Sequence, residues 1–487
     1  MTNIDLKEKA LSGIAWGMLE KFSMQIVTFV VGIILARLLS PSDYGLIAMA
    51  TVFVTISQIL VDSGFSLALI RKKELTELDY STVFVLNMVL SALMCVILFL
   101  TSPYIAAFYN EPLLVRIINL NAVYILLGSL LSIQSTRLQA ELKFKAKSII
   151  NMIETLVAGV VSLVMAFSGF GVWSLIYPKF IVILVGFFLY WRYLHWIPKM
   201  RYSHQTAKSL FSFGYKLMLS TIIDTFYNNM FPMVIGKYFS AANLGFFSKG
   251  QAFANLPSTT ITTVLGGVAY PVLSKVQDDK IQLRQIYRRM LCLSAYVVFP
   301  LMVGIAVLAH PLIIALLTEK WQSCIIYMQI LAISMMFYPI HALNLNLLQV
   351  SGRSDLFLRL EIIKKVIGVS ILLFTLRFGL VWICIGMLCS SIICLCINTY
   401  YTGKMIELGY LQQMSDFVPF LVLSFSMGLV IYISILPITS IILQLFVGIA
   451  VGLIYYYVVS KLVKSKELAF LQNIVSDLIS KYTLIRR

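Results

Sequence analysis

Charge is what this sequence has least of. Lys, Arg, Asp and Glu together supply 12% of its 487 residues, against 60% that are hydrophobic. A water-soluble domain carries roughly 25% charged residues. Half that share cannot coat a surface of this size in water, so lipid is expected to be the solvent for most of the chain. Aromatic residues at 13% fit, because Trp and Tyr collect at membrane interfaces. Acid is scarcer than base: 21 Asp and Glu stand against 38 Lys and Arg, for a net charge of +17. Such an excess often accompanies nucleic-acid binding. Here the basic residues sit in short segments between apolar runs, so no nucleic-acid partner is expected.

Reactive groups are equally thin. The seven cysteines are Cys95, Cys292, Cys324, Cys384, Cys389, Cys394 and Cys396. Most lie inside apolar runs, and no pair has metal or thioredoxin spacing with a supporting His or acid. They read as small packing residues. No Gly-rich phosphate loop, zinc helix motif or nucleophile elbow is present, so no catalytic residue, metal site or cofactor is expected. Asp278 and Asp279 fall in a basic loop and read as solvated charge, not as the metal site of a glycosyltransferase. The first apolar run is interrupted by Glu20 and Lys21 yet continues past twenty residues, so it reads as a retained helix and not a cleaved signal.

Long apolar runs are what the chain does have. A spanning helix needs about 20 mostly apolar residues. On that measure, spans fall near 14–36, 44–70, 81–102, 113–134, 148–168, 171–192, 209–236, 244–274, 290–317, 322–350, 358–376, 379–402, 416–436 and 439–462. The breaks near 169–171 and 377–379 are very short. Cytoplasmic loops carry the Lys/Arg excess. With the N-terminus inside, 29 basic residues fall on the inner side, and only Arg37, Lys237, Lys320 and Arg377 on the outer. The excess alternates loop by loop, which supports an even span count and two cytoplasmic termini. The outer loops are all short. The stretch 464–487 mixes apolar residues (Leu468, Phe470, Leu471, Ile474, Val475, Leu478, Ile479) with Lys464, Lys466, Lys481, Arg486 and Arg487. It reads as an amphipathic helix on the inner membrane surface, drawn by anionic lipid.

The chain also repeats itself. Ala36, Arg37, Ser40, Asp43 and Gly45 recur as Gly236, Lys237, Ser240, Asn243 and Gly245, an offset of 200 residues. Leu138, Gln139 and Lys143 are echoed by Leu348, Gln349 and Arg353. Phe170, Gly171 and Trp173 are echoed by Phe378, Gly379 and Trp382. Each pair falls on one side of the membrane. The expected fold is therefore an all-α polytopic membrane protein of about fourteen helices. Two pseudo-repeated six-helix bundles (1–205 and 206–403) are followed by two added helices (404–463) and a cytoplasmic tail (464–487). Two repeated bundles with substrate between them is a transporter layout.

Polar residues within the spans fall in stripes. Span 2 carries Thr51, Thr55, Gln58 and Asp62 on one face. Span 8 carries Gln251, Asn255, Ser258 and Thr262 at the same spacing and the same offset of 200. Span 7 carries Lys216, Ser220, Asp224 and Tyr227. Span 1 carries Lys21, Gln25 and Thr28, with Glu20 on a neighbouring face. Span 5 carries Asn151, Glu154 and Ser162. Lys179, Lys249 and Arg116 are further in-membrane cations. An ionised side chain at the bilayer centre costs about 2.5–3.5 kcal/mol on insertion scales, so such groups face a cavity or a partner. The stripes either line one hydrated cavity suited to an anionic group or glue helices together. For Lys249 and Arg116, near the outer face, snorkelling is the better reading. Asp62, Glu154 and Asp224 either titrate in a coupling step or neutralise a nearby Lys. Neutralisation by Lys216 is favoured for Asp224, and Asp62 is the better coupling candidate. His341 in span 10, near Asn344, reads as a packed polar residue.

The run from Ser12 through Trp16 to Ile33–Leu46 resembles the opening of Wzx-type bacterial polysaccharide flippases. These belong to the multidrug/oligosaccharidyl-lipid/polysaccharide exporter superfamily, and the colanic acid exporter branch is nearest. The second half agrees in Phe213-Gly214, Ile235-Gly236-Lys237, Leu244–Ser248, Asn255-Leu256-Pro257 and Tyr270–Ser274. The resemblance runs from about residue 10 to 400. Relatives often carry Asp where this chain has Asn229 or Met230, and Tyr where it has Phe247. The resemblance implies an alternating-access flippase of the bacterial inner membrane, serving O-antigen, capsule or exopolysaccharide synthesis. Its substrate would be an oligosaccharide repeat unit on undecaprenyl pyrophosphate. Lys21, Lys216, Lys179 and Lys249 would attract the pyrophosphate. Polysaccharide polymerase and other assembly proteins would be its partners. Two other functions compete: a cation-coupled drug antiporter of the same superfamily, and a membrane enzyme of polysaccharide assembly. Cavity cations speak against the first, and the lack of a sizeable outer loop against the second.

Overall fold

A backbone in hydrocarbon must satisfy its own N–H and C=O groups, which a helix does within one segment. The computed structural model describes residues 3–72, 74–473 and 476, with only the backbone described for 3–11 and 14. Every span in it is helical, and no strand occurs among the described residues. The chain forms two compact units, 1–245 and 246–487.

The first unit holds α1 (Asn3–Leu38), α2 (Pro41–Asp62), α3 (Phe65–Arg71), α4 (Glu77–Tyr109), α5 (Leu113–Ala140), α6 (Phe144–Phe167), α7 (Pro178–Leu194) and α8 (His204–Tyr238). The second takes up α9 (Ala241–Lys275) from Phe246 onward and holds α10 (Lys280–Val307), α11 (Ala309–Leu317), α12 (Cys324–Met335), α13 (Tyr338–Val350), α14 (Ser354–Thr375), α15 (Leu380–Met405), α16 (Tyr410–Ile435) and α17 (Ile441–Leu462). Eleven helical segments among the described residues are long and apolar enough to cross a membrane. The other three expected spans, α8, α9 and α14, have 35, 35 and 22 residues but are more polar. Three spans are broken helices: α2–α3, α10–α11 and α12–α13.

Local chemistry sets the ends. Ser40 and Asp43 form a reciprocal capping box on α2, with Pro41 in the first turn. Thr76 and Asp79 do the same on α4. The two very short breaks are real turns. Gly169, Gly171 and Gly379 have φ of +80°, +56° and +102°, a region open to residues without a Cβ. In the first unit, α4 pairs with α5 and α1 with α6. In the second, α10 runs along α16, which packs on α17. The repeat assigns α8 to the second set of helices by sequence, yet in space it lies against α2, α3 and α4.

The C-terminal stretch is helical over 466–473, and the Arg289 guanidinium sits 4.0 Å over the Phe470 ring. Ile474, Val475, Leu478, Ile479, Lys481, Arg486 and Arg487 lie outside the described residues.

Candidate functional site

Exposed candidate residues of the first unit lie on α1, α2 and α8. Helix α1 rests on α6. Gly159 lets Val31 approach, and a Cβ there would come to 2.9 Å of the Val31 side chain. The inward face carries Glu20, which accepts from Ser148 Oγ and Asn151 Nδ2, both at 2.6 Å. The next residue points elsewhere: Lys21, Gln25 and Thr28 are exposed. Adjacent residues about 100° apart on a helix thus divide the work, Glu20 to packing and Lys21 to open space.

Helix α8 crosses α2 through glycines near one end of α2, and the start of α9 meets the other end. Near one end a Cβ on Gly64 would meet the Gly214 carbonyl at 2.7 Å, and one on Gly214 would meet the Ser63 carbonyl at 2.5 Å. Asp62 precedes this crossing by two residues and Lys216 follows it by two, so their backbones share one level. Lys216 is exposed and lies 6.0 Å from the Tyr215 ring centroid, while Asp62 accepts from Ser66 Oγ at 2.5 Å. Further along, Ser220 and Asp224 are exposed and Tyr227 is half-buried. On α2, Thr51 and Gln58 are exposed and Thr55 is half-buried.

The other end brings the two copies of the repeated motif face to face. A Cβ on Gly45 would overlap the Ala241 carbonyl, and one on Gly245 the Pro41 carbonyl. The two contacts are equivalent under the 200-residue offset. Lys237 donates to the Phe108 carbonyl at 2.6 Å and lies 4.6 Å over the Phe108 ring. It caps the last turn of α4, where a cation suits the helix dipole.

The remaining sequence-derived residues lie on other helices. Lys179 on α7 donates to Asn121 Oδ1 at 2.8 Å and lies 5.5 Å from the Tyr124 ring, inside the first unit. Glu154 is half-buried on α6 where α7 crosses at Gly186; a Cβ on Gly186 would overlap the carboxylate. Arg116 is exposed. In the second unit, Lys249 is half-buried, 5.9 Å from the ring of the buried Trp321. Gln251 and Thr262 are half-buried, and the Asn255 Oδ1 is buried with no hydrogen-bond partner among the described residues. Ser258 differs from its expected role: it is fully buried and donates to the Met335 carbonyl at 2.7 Å. It ties α9 to the α12–α13 break and does not line open space.

Two features went unmarked in the sequence. Glu20 is the acceptor at the α1–α6 contact. Glu361 and Lys364 form an ion pair one turn apart on α14, both largely shielded. Their i, i+3 spacing in a helix of spanning length was the available signal. Near them His341 lies between Ser391 Oγ and Asn398 Nδ2, each at 3.2 Å. That arrangement agrees with a packed polar residue. No group of His, Cys, Asp and Glu suited to a metal occurs among the described residues.

Helices of membrane length with polar faces exposed along them define a multi-pass α-helical membrane protein of the transporter kind. The pattern of the polysaccharide biosynthesis protein family matches residues 34–326, and the chain belongs to that family. It is 24% identical to the teichuronic acid biosynthesis protein TuaB of Bacillus subtilis (strain 168), over 72% of this chain and 73% of that protein. It is also 24% identical to the lipopolysaccharide biosynthesis protein WzxC of Escherichia coli (strain K12), over 88% and 89%. In fold it is similar to the lipid II flippase MurJ in an inward closed conformation. That likeness has a TM-score of 0.71 at 15% identity and covers 92% of this chain and 99% of MurJ. The family expected from the motifs is the one found.

Proposed function

We propose that this protein flips a lipid-linked oligosaccharide repeat unit across the bacterial cytoplasmic membrane for surface polysaccharide synthesis. The observation that carries the reading is the exposure of Lys21, Gln25, Gln58 and Lys216 on helices of spanning length in a polysaccharide biosynthesis protein. Cations there would be too costly against lipid and suit a hydrated path for an anionic head group. Undecaprenyl pyrophosphate fits that chemistry. Its pyrophosphate meets Lys21 and Lys216, and its tail stays in the bilayer. The distribution of Lys and Arg supports cytoplasmic termini and entry from the cytoplasmic side.

Thr51, Thr55 and Gln58 would line the sugar's path. Gln251, Asn255 and Thr262, the repeat-related residues, are the corresponding polar candidates of the second unit. Lys179 and Lys249 are held by neighbours and would act later, if the path opens towards them. Asp62 and Glu154 are the candidates for a coupling proton, with Asp224 the counter-charge of the α8 face. The repeated six-helix sets would rock in alternating access, delivering the unit to a polymerase.

The test is the double variant Lys21→Ala/Lys216→Ala. Membrane insertion and protein level should stay as in the parent, and surface polysaccharide should fall about tenfold or more, as expected when two charge-assisted contacts are lost. Unchanged polysaccharide rules the assignment out. Export of cationic compounds on overexpression, without any effect on polysaccharide, would favour the drug antiporter instead.

A further inference from the structure

The second unit has a cavity of about 700 Å³ where the α9–α10 turn, the α13–α14 turn and the end of α15 converge. Lys280, Arg353 and Lys404 line it with one acid, Asp278. Arg353 is shared with Asp355 at 2.9 Å and Lys280 with Glu407 at 3.4 Å. All four of those side chains are at least half exposed, so the pairs are weak and open to exchange. No ion pair holds Lys404 among the described residues. Gly352, at φ +69°, has open space where a Cβ would stand.

At the same place in the first unit the side chains are bonded to one another. Leu138, Gln139 and Lys143 correspond to Leu348, Gln349 and Arg353, and the first residue of α4, Glu77, to that of α10, Lys280. Trp173 corresponds to Trp382, which sets Trp196 against Met405. Trp196 donates to Glu77 at 2.6 Å. The Arg137 guanidinium lies 4.5 Å from the Trp196 ring and 5.0 Å from the Tyr80 ring. It is also ion-paired with Glu77 at 2.9 Å and Glu141 at 2.7 Å. A tryptophan and a neutralised arginine thus fill one copy. In the other, the tryptophan becomes Met405, the glutamate becomes Lys280, and the space stays open.

We propose that this cavity holds the phosphate of an anionic phospholipid from the cytoplasmic leaflet. Its volume is that of a small-molecule site. The basic loops around it place it at the inner interface, where anionic lipid concentrates. Lys404 and Lys280 supply charge-assisted donors to the phosphate, and Met405 and Leu283 offer apolar wall to the glycerol and upper chains. The ligand is a resident lipid and not the transported one.

Full-length protein, purified with a mixture of phosphatidylglycerol and phosphatidylethanolamine, is examined by native mass spectrometry. Two variants are compared with the parent: Lys280→Gln/Lys404→Gln, which removes charge, and Met405→Trp, which rebuilds the plug of the first unit without touching charge. Each should reduce the tightly retained phosphatidylglycerol about tenfold, the effect of roughly 1.4 kcal/mol, and leave retained phosphatidylethanolamine unchanged. Equal retention in the parent and the Met405→Trp variant overturns the proposal, because charge alone would then be acting over the surface. Displacement of the lipid by millimolar glycerol 3-phosphate also overturns it, and assigns the cavity to a soluble phosphate ester.

Discussion

At the scale of single residues, position on the helix decides more than residue type. Glu20 and Lys21 are neighbours in sequence, both charged and both within a span. The first is bonded to Ser148 and Asn151, and the second is exposed. Lys179 and Lys216 are both in-membrane lysines, yet only the first has an amide acceptor. Outside the membrane the balance is set by partners. Burial works against the charge of Glu141, but the hydrogen bonds from Lys143 and Arg137 outweigh it and hold its carboxyl below the ordinary range. A depressed carboxylate contributes stability that is present above its unfolded pKa and lost as pH falls through the folded value. Glu141→Gln should lower stability by about 1 kcal/mol at neutral pH. The gap to the parent should close as the pH is lowered through the acid range, measured by thermal unfolding in detergent. A constant gap would mean that charge is not the source.

At the scale of elements, glycine sets how closely helices meet. Helix α16 was expected as an appended span. It packs along α10 where Gly428 faces Val303, and a Cβ there would come to 2.8 Å of the Val303 side chain. Polar bonds fix the same pair of helices. Arg288 meets Asp416 at 2.7 Å through Nε, and the Tyr287 hydroxyl proton is shared between Gln413 on α16 at 3.3 Å and Asn344 on α13 at 2.9 Å. Gly428→Leu should force α16 off α10 and destabilise the second unit by about 2 kcal/mol, in the range found for overpacking. Faster proteolysis of the α15–α16 turn would report it; unchanged cleavage would show that the helices can separate without loss.

At the scale of the whole molecule, the reciprocal contact of Gly45 with Ala241 and Gly245 with Pro41 ends both copies of the motif at one point. If transport requires these helix ends to part, tying them together should arrest it. Ser40 and Ser240 are exposed and equivalent under the repeat. Joining Ser40→Cys to Ser240→Cys with a short bis-maleimide should abolish polysaccharide export, while either single variant treated alike should retain it. Continued export by the linked protein would show that this contact persists through the cycle.

The sequence by itself determined that the chain is a helical membrane protein of many spans, which loops are basic, that its motifs recur, and to which family it belongs. Each of these rests on composition or on spacing along the chain. The turns at Gly169–Gly171 and Gly379 were legible because a membrane-length helix has to stop near there. Only the tertiary structure decided that Ser258 is a helix tie, that Glu361 and Lys364 are paired, that α8 lies against α2, and that Glu20 accepts from Ser148 and Asn151. The reason is physical. Periodicity gives the face of a helix, but in lipid both faces can be apolar, and the pattern does not name the neighbour that covers each. That choice is made by backbone approach at glycines and by hydrogen bonds between residues far apart in the chain.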